Sequence, residues 1–433
     1  MAAKKIAAVF LVLVLGLLNS GLLFAAEPFD LETLIKEALK NNPQLKAAQS
    51  RYAAALARVK LLRNLEDPRL EYEYDKIKAD MDAVMRGKTA PMRTIGISQE
   101  IPFPAKLIIR RNAAEQEAKS LKEDYQEKEN EIVQKVKEAY SQLFLSYKKI
   151  EINQENLALL GQFVKITTRR YSTGKTSQQD VLKAQVEYSK LSNELVLFDQ
   201  EEKIAQAMLN ALLGRSSDLV IVIPEEQKYS ELELNEEKIL KLTLENRPEL
   251  TSVKKMLRKS EMDYSLSKLE YAPDFMLKYQ REERDNSLGE WSAMIGVTVP
   301  LWFWEKQNSS VKEARANLEE MRAQYKAQEN MVLFETRTAL AKFQAARNLV
   351  KTYETGVLPQ AQAALETARL NYQADKIGFL DLLDSQRSLR EFQIDYFESL
   401  ANLEISLAEL ERAVGVYLVI YDKEAKIWEK REL

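Results

Sequence analysis

Two Asn-x-Pro breaks set 205 residues apart constrain this 433-residue chain more than any other feature. Asn41-Asn42-Pro43 followed by Gln44-Leu45 returns as Asn246-Arg247-Pro248 followed by Glu249-Leu250, and Asp67-Pro68 to Tyr74 returns as Ala272-Pro273 to Tyr279, both displaced by 205. Tyr171, Lys175, Asp180, Leu182, Gln185 and Gly214 match Tyr372, Lys376, Asp381, Leu383, Gln386 and Gly415, displaced by 201. One unit of about 200 residues is therefore written twice, too few copies for a solenoid, which needs roughly three or more stacked repeats. A pseudo-symmetric pair fits the arithmetic better.

Each unit reads as a short helix, the Asn-x-Pro break, a helix of about 22 residues, a β-hairpin, and two long helices joined by a short polar turn. The break follows from proline chemistry: the residue before Pro leaves the α region, while Pro itself suits the first turn of the next helix. With only 12 Gly and 11 Pro in the whole chain, long helices are expected. Pro104 to Arg170 holds no further proline and a single Gly161, so a continuous helix there would rise roughly 100 Å. Val181, Ala184, Tyr188, Leu191, Leu195 and Phe198 step by three and four, Glu202 interrupts, and Ala205, Leu209 and Leu212 resume the phase. In the second unit Leu389, Phe392, Tyr396, Leu403, Leu407, Leu410 and Val414 keep the same spacing. Such stripes specify lateral coiled-coil packing, and equally the core of an ordinary bundle.

The hairpins narrow the choice. Leu70, Tyr72 and Tyr74 alternate with Glu71, Glu73 and Asp75, and Ile95, Ile97 and Ile101 with Gly96, Ser98 and Glu100, although Gln99 breaks the apolar set. Phe275, Leu277 and Tyr279 oppose Lys278 and Gln280; Trp291, Ala293, Ile295, Val297 and Val299 oppose Ser292, Gly296 and Thr298. Four strands of about 8 to 10 residues result, long enough to cross a bilayer at a tilt of roughly 45°. Three of the four tryptophans, Trp291, Trp302 and Trp304, sit in or just beyond the last strand, with Phe103 at the equivalent end of the first hairpin, as in an interfacial aromatic belt. Four strands cannot close a membrane barrel and lipid does not tolerate open edges, so strands that enter a membrane require several copies of the chain.

Lys4 and Lys5, a mostly apolar run from Ile6 to Leu18, and the small pair Ala25-Ala26 form the layout of a secretory signal, expected over residues 1–26. Leu23 or Phe24 stands where a small residue is favoured, which leaves an uncleaved anchor as the alternative. No later stretch approaches the ~18 to 20 apolar residues of a spanning helix. With no His and no Cys, histidine-dependent catalysis and Cys/His metal sites are excluded. A net charge of −3, with both signs intermixed, gives no pull toward nucleic acid. No catalytic, cofactor-binding or metal-binding residues and no cofactor are expected.

The turn pattern Tyr171-x-x-Gly174 with Asp180-Val181-Leu182 and Gln185, its second copy Tyr372 with Asp381-Leu382-Leu383 and Gln386, and the closing pairs Leu213-Gly214 and Val414-Gly415 resemble the TolC-type outer-membrane efflux channels, from Phe29 to Gly415. The resemblance implies a chain mainly α with membrane β. It forms a homotrimer in which four strands per chain make a 12-stranded β-barrel in outer-membrane lipid, continuous with a long periplasmic α-helical barrel. It also implies a first repeat over 27–214, with its hairpin about 68–101 and helices about 104–170 and 177–214. A second repeat over 236–415 would carry a hairpin about 273–300 and helices about 304–371 and 378–414. Residues 215–235 and 416–433 would be equatorial. The implied task is passive conduction, without enzymatic chemistry, for an inner-membrane pump of RND or ABC type and a periplasmic adaptor (membrane fusion protein). Gly174, Lys175, Lys376 and Gly378 would lie in the adaptor-docking tip, although left-handed turn geometry would account for both glycines equally well.

By the same resemblance Asp381 and Asp384, i and i+3 near a helix start, would ring the periplasmic gate in three copies, and Tyr372 with Asp180 would form a hydrogen-bonded pair that helps hold it shut. Helix capping is the alternative for Asp180 and Asp381. Ile377 and Gln179 depart from the family, standing where an arginine of that closing network and its partner are found. The run from Ser98 to Lys106 is similar to channels of heavy-metal efflux pumps, with Ala105 in place of a glycine; Met81, Met85 and Met92, expected in the external loop between the first two strands, are thioethers of the kind that suit Cu(I). Metal or drug efflux is thus expected, with polypeptide secretion and a soluble periplasmic coiled-coil scaffold as the alternatives.

Overall fold

The computed structural model describes residues 30–75, 92–222, 235–284 and 289–418. The expected signal peptide, Met81, Met85, most of 215–235 and all but the start of 416–433 lie outside them, whereas Met92, expected in the loop, opens the second strand, where its backbone pairs with Asp75 and Arg284. The order is α1 (Leu31–Asn41), α2 (Pro43–Leu61), β1 (Arg69–Asp75), β2 (Met92–Ile101), α3 (Pro104–Ser172), α4 (Gln178–Leu213), α5 (Glu236–Asn246), α6 (Pro248–Leu269), β3 (Asp274–Arg284), β4 (Trp291–Thr298), α7 (Lys306–Thr352), a π-helical turn (Tyr353–Val357), α8 (Leu358–Gln373) and α9 (Phe379–Val414). The chain is mainly helical, with four strands, and the two halves repeat one plan. Among the described residues no helix is long and apolar enough to cross a membrane.

The chain divides into two compact units, one of Met1–Lys40, Lys135–Ser230 and Ala346–Ile405, the other of Asn41–Gln134, Glu231–Ala345 and Ser406–Leu433. In the second unit Asn42 starts α2 by accepting from the Gln44 and Leu45 amides at 2.8 and 3.3 Å, with Pro43 in the first turn. Its counterpart Arg247 makes no cap bond; the buried guanidinium instead reaches Glu249 at 2.8 Å and Glu335 at 2.6 Å. Nearby, Arg412 Nε donates to Glu127 at 2.7 Å. Burial raises the Glu127 carboxyl above the ordinary range and Glu249 adds to the rise, against the pull of Arg412 and Arg247. The four strands form one antiparallel sheet in the order β1-β2-β3-β4, also in this unit.

In the first unit α3, α4, α8 and α9 bury Leu160, Phe163, Ala184, Leu191, Ala368, Tyr372, Phe379, Leu382 and Leu383 in one cluster. The α4 stripe departs from its sequence pattern at one step: Tyr188 is 43% exposed and Glu187 only 1%. Glu187 is buried because Arg387 of α9 pairs with its carboxylate. A second set on α4, including Leu182, Val186, Val196, Leu197 and Ile204, lies exposed in the single chain.

The stretch that matches α3 in the second half is one helical run interrupted by the π turn. Pro359 has no N–H for the Thr355 carbonyl and its ring crowds that carbonyl, so the helix widens and the Leu358 N–H reaches back to Tyr353. Gly214 and Gly415, the closing glycines of α4 and α9, take the left-handed conformation at φ 69° and 81°. This is how helices commonly end.

Candidate functional site

The strand register brings the apolar residues of the sequence pattern into rows. Leu70 faces Ile97, Ile97 faces Tyr279 and Tyr279 faces Ala293; Ile101 faces Phe275, which faces Val297; Leu277 faces Ile295. Gln99 and Arg281 are polar members of this surface, set against Leu277 and Trp291, and Arg93 with Glu283 extends it beyond Tyr74. The apolar surface is open, with Leu70 79% and Ile295 74% exposed. The other surface carries most of the polar side chains, with Met276 and Met294 among them; on β2 it is covered, Ser98 and Thr94 being buried, and Lys278 reaches across β2 to Glu71 at 2.6 Å. Water-soluble sheets do the reverse.

Trp291 stacks on Tyr279 with ring centres 6.3 Å apart, and Trp302 and Trp304 meet edge to face at 5.6 Å, all three indoles exposed. Phe103, half-buried, donates its amide to Asp274 at 2.8 Å, and the same carboxylate oxygen takes the Lys106 ammonium at 2.8 Å. That contact ties the start of α3 to the start of β3.

In the first unit the two helix-joining turns share one geometry. The Lys175 N–H reaches Arg170 O at 2.8 Å and the Gly174 N–H reaches Tyr171 O at 2.9 Å; in the second copy Lys376 reaches Asn371 O at 2.9 Å and Asp375 reaches Tyr372 O at 3.2 Å. Gly174 sits at φ 71°, and its counterpart, displaced by 201, is Asp375 at φ 54°, the one non-glycine with positive φ among the described residues. Left-handed geometry therefore accounts for Gly174 but not for Gly378, which is outside that region. Gly378 corresponds to Ser177 at the helix start, and its amide donates to Asp381 at 3.1 Å. Gly174, Lys175, Lys376 and Gly378 are all exposed.

Asp180 closes a capping box with Ser177, each side chain taking the other's amide, and also accepts from the Thr176 hydroxyl at 2.5 Å. Burial would raise its pKa, but these hydrogen bonds hold it below the usual aspartate value. The expected bond between Tyr372 and Asp180 is not made. Tyr372 is buried with an unpartnered hydroxyl, because the Asp180 carboxylate is turned to its own helix end. Burial raises the Tyr372 phenol, the Arg170 charge opposes the rise, and Asp180 and Asp375 add to it. Asp381 and Asp384 are exposed and flank the buried pair Leu382 and Leu383. Asp381 caps α9 through Gly378; Asp384 lies a turn deeper, beside Arg387. Ile377 packs against the apolar cluster of the turns.

Sequence reasoning missed the charged side chains that join the two copies here. Arg170 pairs with Asp375 and lies over the Tyr372 ring at 5.0 Å. Arg387 pairs with Glu187, and Arg390 reaches Glu194 at 2.6 Å. The signal was the broken repeat, an aspartate where the first copy has glycine. Among the described residues no three His, Cys, Asp or Glu gather as a metal site.

The model of the outer membrane efflux protein family matches residues 34–215 and 239–416. The cobalt-zinc-cadmium resistance protein CzcC of Cupriavidus metallidurans is 23% identical over 90% of this chain and 91% of its own length. The cation efflux system protein CusC of Escherichia coli K12 is 22% identical over 83% of this chain and 80% of its own. Among solved structures, the outer-membrane channel OprN superposes with a TM-score of 0.79 at 18% identity, covering 89% of both chains.

Proposed function

The chain belongs to the outer membrane efflux protein family, a family of transport proteins and not of enzymes, and from that membership we propose that three copies form an outer-membrane conduit with a long periplasmic extension. The sheet carries the proposal: one face is mostly apolar and exposed across all four strands, the other is mostly polar, and β1 and β4 are the edges of the sheet in the single chain. Three such sheets joined edge to edge give twelve strands, apolar toward lipid and polar toward a lumen. Trp291, Trp302, Trp304 and Phe103 then sit at the membrane interface. The exposed apolar set on α4 is the matching demand for a neighbouring copy in the helical part.

Conduction is passive, driven by an inner-membrane pump of RND or ABC type through a periplasmic adaptor. The adaptor docks at the turns holding Gly174, Lys175, Lys376 and Gly378. Asp381 and Asp384 line the periplasmic entrance, with Tyr372 and Asp180 beside it. The cargo is a heavy-metal cation, a reading supported by the names of CzcC and CusC and by the similarity of the Ser98–Lys106 run to metal-efflux channels. Cells lacking this chain are expected to lose tolerance of cobalt, zinc or cadmium and regain it on re-expression. Unchanged metal tolerance with lost drug tolerance would redirect the cargo to drugs.

A further inference from the structure

We propose that the turn end of the sheet's apolar face is a lipid-headgroup site, in which Arg93 of β2 and Arg281 of β3 together hold the phosphate of an anionic membrane lipid. The site rests on the reading above that this face meets the bilayer.

Charge on this face is segregated. Among the described strand residues the face carries three charged side chains, Arg93, Arg281 and Glu283, and all three lie in the two rows nearest the hairpin turns. Those rows run Tyr72, Ile95, Arg281, Trp291 and then Tyr74, Arg93, Glu283. From Leu70, Ile97, Tyr279 and Ala293 down to Ile101, Phe275 and Val297 the face holds no charge. Arg93 is eight residues from Ile101 along β2, which at about 3.4 Å per residue and a tilt of roughly 40° is about 20 Å of depth. The apolar band of a membrane barrel is about 25 Å tall, with aromatic girdles at both boundaries. With Trp302 and Trp304 at one boundary, Arg93 and Arg281 fall at the other, beside Trp291 and the two tyrosines. A guanidinium is costly at mid-depth and nearly free at that level.

The local charges do not cancel. Glu283 stands directly opposite Arg93, and Arg281 opposite Ile95, so one carboxylate stands beside two guanidiniums and a positive charge is left over in each chain. Both arginines are exposed, and neither makes an ion pair among the described residues. They are diagonal neighbours on adjacent strands, about 7 to 8 Å apart at Cα, close enough for two such long side chains to converge on one group. Guanidinium N–H groups match phosphate oxygens in pairs, and Trp291 and Tyr72 add amphipathic rings suited to the headgroup level. β2 and β3 are also the inner strands of the sheet, so copies joined at β1 and β4 leave both arginines uncovered by protein. Facing them there is the headgroup layer.

The test titrates the full-length protein in neutral detergent with phosphatidic acid and with diacylglycerol of the same acyl chains, which differs only in lacking the phosphate. Native mass spectrometry counts the lipid retained, and insertion into vesicles is followed on the same samples. Phosphatidic acid is expected to be retained in preference to diacylglycerol. Arg93→Gln and Arg281→Gln should each weaken its binding about fivefold, the contribution of one basic side chain at a membrane surface. Glu283→Gln should strengthen binding, a gain that no folding defect imitates, while Arg69→Gln, which removes the same charge from the polar face, should leave it unchanged. Equal retention of the two lipids, or inserted arginine variants that bind phosphatidic acid as the native chain does, would overturn the site and leave the conduit standing. Displacement of the lipid by millimolar inorganic phosphate would overturn the lipid assignment in favour of a free-anion site. A native protein that inserts into no vesicle overturns the bilayer reading of this face and the site with it.

Discussion

Replacing Ile295 by Lys separates a membrane strand from a surface hairpin, because the two predict costs of very different size. Ile295 lies on the open apolar face of β4, opposite Leu277, and is 74% exposed in the single chain. If that face meets water, lysine there removes an exposed apolar side chain and costs within about 0.5 kcal/mol, the range for an ordinary surface change. If it meets lipid near mid-depth, each lysine costs about 2 to 4 kcal/mol, and three copies in one barrel cost on the order of 10 kcal/mol together. Ser292, three residues earlier, is on the polar face opposite Gln280, so Ser292→Lys is the matched control. Refolding into lipid vesicles followed by urea titration reads both. Native protein and Ser292→Lys are expected to insert alike, with Ile295→Lys left uninserted or its midpoint sharply lowered. Equal insertion by all three would refute the assignment of the apolar face to lipid.

Other consequences follow from the helix ends and the entrance. Gly214→Ala should cost about 1 to 2 kcal/mol for left-handed backbone alone. Gly415→Ala should cost more, because its Cβ would also meet Asn246 O at 2.7 Å and Asn246 C at 3.0 Å; comparative denaturation checks the order. Asp180→Ala should cost about 1 kcal/mol at neutral pH through the lost cap. The native carboxyl is held below its ordinary value of 3.8, so its contribution is complete above that pH and lost as pH falls through the lower folded value. Native and variant stabilities should therefore converge in acid. Asp381→Ala with Asp384→Ala is expected to change cation block of single-channel current, and an unaltered block would remove these residues from the entrance.

Periodicity and repetition made the scaffold legible. The strand alternation is local, and the register preserves it, so Leu70, Ile97 and Tyr279 share a face as their positions required. What the sequence hid were pairings between the copies. Arg170 with Asp375, and Arg387 with Glu187, lie about 200 positions apart in a chain that is 30% charged, where almost any pairing is conceivable on paper. Glu187 shows the consequence, since a glutamate beside a helical stripe reads as solvated until a partner arrives from another helix. Tyr372 shows the converse: the residue is at the expected turn, yet its predicted partner Asp180 is already taken by the local competition of a helix cap. The π turn was partly visible, as Gly356 and Pro359 fall close together within an otherwise helical run.

Conductance of detergent-extracted, gel-filtered protein in a planar bilayer, with mass determined on the same sample, tests the central claim most directly. The account predicts a conducting species of three chains. A water-soluble, non-conducting monomer would contradict it.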